Sequence, residues 1–233
     1  MMKRVVAAIL VCGLLFAGCA KSQNSGSENV APTDELIATE AATNNTVETE
    51  AVRKIQPLPD VTMENLTDAI LAITLKAGDA YYNEYGVMQM TVTVHAYDQY
   101  DMVDIANLNV GDILVRHSGD MEVTSKEQNE AGTIFINGGF DNDGIDLVTD
   151  DSGVFYEVGY NDSKNWYEAG TVTLQLADHF TGIDNADLDY RDLLLTHDSL
   201  MMDNIINYDF TPYNTTIRVE NGKVVEMERR YTP

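Results

Sequence analysis

The sequence predicts a mostly-β domain: an antiparallel small barrel or sandwich built from hairpins, with at most one or two short helices. Three observations lead there. Short runs alternate apolar and polar residues and are rich in β-branched side chains, as in Val87–Val94 and Thr171–Ala177. Gly, Asn and Asp turn signals separate these runs at close spacing. No internal repeat at a solenoid or propeller period is present.

Each element follows from local chemistry. Ala69–Lys76 reads as a strand rather than a short amphipathic helix with Leu66, Ala69, Ile70 and Ile73 on one face, since Gly78-Asp79 follows and an alternating run comes next at Val87–Val94. Tyr97–Asn109 is a connection with room for one helical turn. Ile113–Arg116 and Met121–Ser125 form a hairpin across Ser118-Gly119-Asp120. Thr133–Ile136 is a strand broken by Asn137-Gly138-Gly139. Ile145–Thr149 and Gly153–Gly159 form a second hairpin across Asp150-Asp151-Ser152. Thr171–Ala177 is a strong strand. Asp178–Asp203 reads as irregular and acidic, with a short helix near Ser199–Ile206. Thr215–Glu220 and Lys223–Arg230 flank Asn221-Gly222, which suits a type I′ turn because both positions take positive φ. The segment Leu108–Ser125 resembles the hairpins of small β-barrels.

Ahead of this domain lie two segments of different character. Lys3 and Arg4 precede the apolar run Val5–Phe16, and Ala17-Gly18-Cys19 closes it. The run is too short to span a bilayer, and Lys21 ends it. The pattern resembles a bacterial lipoprotein signal, with Phe16 where such signals usually carry Leu, Val or Ile. The resemblance implies cleavage after Gly18 and lipidation of Cys19 by palmitate-like acyl chains. It places the chain outside the cytoplasm, lipid-anchored to the cell membrane, or to the outer membrane of a Gram-negative cell. Residues 19–54 are rich in Ser, Asn, Thr, Glu and Ala, and read as a disordered tether. Residues 55–233 are the acidic domain, and they resemble uncharacterised lipoprotein domains of anaerobic Gram-positive bacteria.

Charge and cysteine content exclude several functions. The formal net charge is −24. From Ile55 onward, nine Lys and Arg face thirty-two Asp and Glu. Such a surface repels nucleic acid and anionic headgroups, and it gathers cations. The two cysteines are Cys12, inside the signal, and Cys19. A processed chain therefore has no free thiol for catalysis, zinc or iron–sulfur ligation. There is no His-Glu-x-x-His, no Gly-x-Ser-x-Gly and no Gly-rich phosphate loop.

Two groups of residues are candidate sites. Asp141, Asp143, Asp146, Asp150 and Asp151 are dense enough to offer oxygens to Ca²⁺. The alternative is a polar turn, where Asp, Asn and Gly serve the backbone. A second acidic stretch, Asp184, Asp187, Asp189 and Asp192, reads as a loop. Tyr160, Trp166 and Tyr167 flank a polar loop and suit a platform for a carbohydrate or protein partner. Tyr81, Tyr82 and Tyr85 form a similar cluster. The leading expectation is a non-catalytic, membrane-anchored binding module. Two others stand beside it: an extracytoplasmic hydrolase using an Asp/Glu pair, and a structural subunit of an envelope complex.

Overall fold

The computed structural model describes residues 51–59, 61–150, 152–159, 163–187, 192–201 and 210–232. They fall within the unit Thr49–Pro233. The signal segment, Cys19 and most of the tether lie outside the described residues. No helix among the described residues is long and apolar enough to cross a membrane.

Strand β1 (Lys54–Ile55) comes first, then β2 (Ala69–Thr74), β3 (Ala80–Tyr82) and β4 (Met88–Ala96). In β4 the expected alternation is realised: Met88, Met90, Val92 and Val94 are buried, and Gln89, Thr91 and Thr93 between them are partly exposed. The chain then leaves for an insertion. This holds β5 (Gln99–Tyr100), α1 (Met102–Ala106), β6 (Ile113–Leu114), β7 (Met121–Glu122), β8 (Lys126–Gln128), β9 (Ile134–Ile136), a 3₁₀ turn at Phe140–Asn142, β10 (Ile145–Thr149) and β11 (Phe155–Val158). It returns in β12 (Tyr167–Asn185), followed by β13 (Leu193–Leu195), α2 (His197–Leu200), β14 (Thr215–Glu220) and β15 (Lys223–Arg230).

Five strands close a barrel. β2 pairs antiparallel with β4, and β4 with the first half of β12, where Val172 faces Val92. The second half of β12 runs parallel to β15, with Ile183 opposite Glu228. β15 pairs with β14, and β14 returns to β2. The ring β2–β4–β12–β15–β14 has its last two strands exchanged relative to chain order, which is a Greek-key closure. Closure satisfies backbone groups that an open sheet leaves at its edges. Inside pack Leu71, Ile73, Met90, Val92, Val94, Ile217, Val219, Val224 and Met227, all at most 1 % exposed. At the β14–β15 turn, Asn221 (φ 50°) and Gly222 (φ 73°) both take positive φ, as the Asn-Gly pair predicts.

The insertion builds a second core. Its five-stranded sheet has the order β5-β11-β10-β9-β8, and a three-stranded sheet joins β1, β6 and β7. Tyr100, Ile105, Leu114, Val123, Ile136 and Leu147 are fully buried there, with Ile55 of β1 packed among them. The fold is thus mostly β and mainly antiparallel, with a small closed barrel and, among the described residues, two short α-helices, as the patterning predicts. Its core is divided between the barrel and the insertion.

One local expectation fails, and two elements add to the reading. Asp178–Asn185 is not irregular, because β15 supplies a partner that its own composition does not reveal. β8, the polar run Lys126-Glu127-Gln128, is a strand because it pairs with β9. The last helix starts at His197 rather than Ser199, and residues 202–209 lie outside the described residues.

Candidate functional site

A cleft of about 520 Å³ opens where β12, β13, α2 and β3 meet. It owes its form to β12. Between Leu176 and Thr181 that strand advances five residues, while β15 advances from Val224 only to Glu226. The surplus forms a bulge, and bulges bend strands and re-aim side chains. Asp178 and Phe180 both lie in the bulge, and both line the cleft.

The opposite wall is held close. Gly182 of β12 pairs with Leu195 of β13. A Cβ at Gly182 would stand 2.5 Å from the Leu195 Cβ and 2.9 Å from its carbonyl oxygen, so only glycine permits this approach. A reciprocal cap fixes α2. The Ser199 N–H donates to Thr196 Oγ1 at 3.2 Å, and the Thr196 N–H donates to Ser199 Oγ at 2.6 Å. The cap sets His197 and Asp198 on the cleft wall, with the His197 ring 5.8 Å from Phe180. Tyr82, on the edge strand β3, completes the lining and is 45 % exposed.

Electrostatically the cleft differs from the interior. The buried acids are paired. Asp184 Oδ1 accepts from Arg229 Nε at 2.9 Å, with a second contact from Arg229 Nη2 to Oδ2. The Arg229 guanidinium also lies 4.0 Å over the Phe210 ring. Glu157 receives Arg116 in a two-pronged pair at 2.9 and 2.8 Å, and Asn165 Nδ2 at 2.6 Å. Asp98 accepts the His117 N–H at 2.8 Å, and burial pushes its carboxyl above the usual range. Asp178 and Asp198, by contrast, are exposed and form no ion pair among the described residues. No Lys or Arg among the described residues lines the cleft.

The sequence-derived candidates land elsewhere. Asp146 Oδ1 accepts the Phe140 N–H at 2.9 Å. Asp143 sits in the left-handed region at φ 61°. Asp150 Oδ1 accepts from the Ser152 hydroxyl and N–H, and these bonds hold its carboxyl below the usual range. Asp143 and Asp150 thus sit in turns and Asp146 in β10, and with Asp141 they do not converge. No group of three His, Cys, Asp or Glu able to hold a metal occurs among the described residues. Asp151 lies outside them. Of the second acidic stretch, Asp184 is a strand residue in a buried ion pair, and Asp189 lies outside the described residues.

Trp166 and Tyr167 are each half-buried and packed against other rings. Trp166 is half-buried, its ring at 79° to that of Tyr97 and 4.9 Å away. Lys164 Nζ stands 3.8 Å from the Tyr97 centroid, 5.1 Å from Tyr156 and 5.6 Å from Trp166. Three rings thus surround one ammonium where the insertion rejoins the barrel. Tyr167 stacks on His117 at 3.7 Å. Tyr160 lies outside the described residues. Sequence reasoning singled out Tyr82 but missed Asp178 and Phe180, since a bulge made by a distant partner strand leaves no local mark.

Compared with known families, with curated proteins and with solved structures, the chain finds no match.

Proposed function

We propose that this chain is a lipid-anchored, extracytoplasmic binding module that takes its ligand in the cleft between β3, β12 and β13. One observation carries the reading: two carboxylates with no ion pair among the described residues and the rings of Tyr82 and Phe180 are brought to one concavity, whereas the buried carboxylates among the described residues are already paired. The volume suits a small ligand. The Lys3-Arg4, Val5–Phe16 and Cys19 pattern supplies the anchor in this reading. Two lipid chains or more are needed for stable attachment, since a single chain binds only marginally.

A second reading has one observation in its favour. Asp178 and Asp198 line the same cleft, so an acid pair for hydrolysis stands where a substrate would sit.

One experiment separates these readings. The melting temperature of the full chain is measured against cationic, neutral-sugar and anionic small molecules, with Tyr82→Ala alongside. Binding predicts a rise with at least one compound, reduced in the variant. No rise with any compound would refute the module. Conversion of a bound compound, lost in Asp178→Asn or Asp198→Asn with binding kept, would favour hydrolysis. In cells, Cys19→Ser should move the protein from the membrane fraction to the medium.

A further inference from the structure

We propose that the ligand of this cleft is an aliphatic amine, a small molecule bearing ammonium groups on a methylene chain; the proposal rests on the cleft being a binding site. Asp178 and Asp198 bring two carboxylates to the lining with no cation of the described residues to neutralise them. The same lining holds Phe180, Leu194 and Leu195, and Tyr82 of the edge strand β3. Carboxylates attract ammonium groups, while the aliphatic side chains and ring faces accept methylenes and, on the rings, the cation itself. An anion would meet two like charges there. A neutral polyol would leave the apolar wall unused.

The charge of the whole molecule works in the same direction. At a formal −24 the chain draws cations from a distance and raises their concentration at its surface. That attraction is diffuse, and salt screens it beyond about 8 Å at physiological ionic strength. What the cleft adds is short-range: rings and carboxylates within one small volume. Related chemistry occurs among the described residues, where Tyr97, Tyr156 and Trp166 surround the Lys164 ammonium. There the amine is the protein's own; in the cleft it comes from outside.

The test is calorimetric titration of the full chain with spermidine at about 0.15 M salt, where long-range attraction is screened. One saturable site is expected. Asp178→Asn with Asp198→Asn should weaken it about tenfold, since two exposed charge contacts are removed. Tyr82→Ala should weaken it about threefold. A charge-matched control, Glu127→Gln with Glu130→Gln on the insertion, should leave it unchanged; both glutamates are exposed. Equal weakening in that control would overturn the proposal, because the attraction would then be diffuse. Silence with spermidine, while a neutral or anionic compound raises the melting temperature through Tyr82, would overturn the amine and leave the binding reading intact. Silence with every compound would overturn both.

Discussion

Arg229 is 2 % exposed, yet it carries a full charge into the barrel wall. Desolvating such a group is costly, and here the two-pronged contact with Asp184 and the Phe210 face offset that cost. Removing one partner strands the other. Asp184→Ala should therefore lower unfolding stability by about 3–5 kcal/mol in urea titrations. The double change Arg229→Met with Asp184→Leu should cost less than Asp184→Ala alone, because neither charge is left uncompensated. His95 makes a pH-dependent contribution. It is buried, its Nε2 lies 2.8 Å from Thr74 Oγ1, and burial lowers its pKa, opposed in part by Glu168. A lowered histidine pKa means that the unfolded chain takes up the proton first as pH falls. Stability from this group is thus complete above about pH 6.5 and is lost as pH drops toward the folded value. Denaturant midpoints at pH 7.5 and 5.5 should differ more for the wild type than for His95→Gln. Equal differences would show that another group controls the acid limb.

At the scale of elements, the bulge in β12 and the approach of β13 govern the cleft. Gly182→Ala should push β13 away, because the new Cβ would meet both the side chain and the backbone of Leu195. The expected cost is about 1–3 kcal/mol, with loss of any ligand-induced rise in melting temperature. A variant that keeps both stability and binding would contradict the role given to this contact. The Lys164 cage ties the connection at 163–166 to Tyr97 at the end of the barrel's β4 and to Tyr156 of the insertion. Lys164→Ala should change the emission of Trp166, the single tryptophan, and cost about 1–2 kcal/mol. An unchanged spectrum would show that the ring faces do not sense the ammonium. The legibility of these elements in sequence varies for physical reasons. β4 was readable because one face of it is core, so its alternation is written residue by residue. The β14–β15 turn was readable because Asn-Gly suits its dihedrals. The second half of β12 was not, since the strand-depleted Asp178 and Gly182 flank Phe180 and Thr181 and the segment pairs through a strand about 45 residues on.

Across the whole molecule, the barrel and the insertion meet where the chain crosses between them. That junction is rich in polar and aromatic contacts: Asp98 with the His117 backbone, Arg116 with Glu157, Tyr167 on His117, and Lys164 among three rings. The sequence readings for Trp166 and Tyr167 fall at this junction, because aromatic content marks where rings gather without saying what they contact. The ligand site proposed above lies instead on the barrel, among residues from β3, β12, β13 and α2. The measurement that tests this most directly is hydrogen exchange of the full chain with and without saturating spermidine. Slowed exchange in β3, at 177–182, and from β13 through α2, with the insertion unchanged, is the predicted result. Protection centred on Trp166, or none at all, would contradict it.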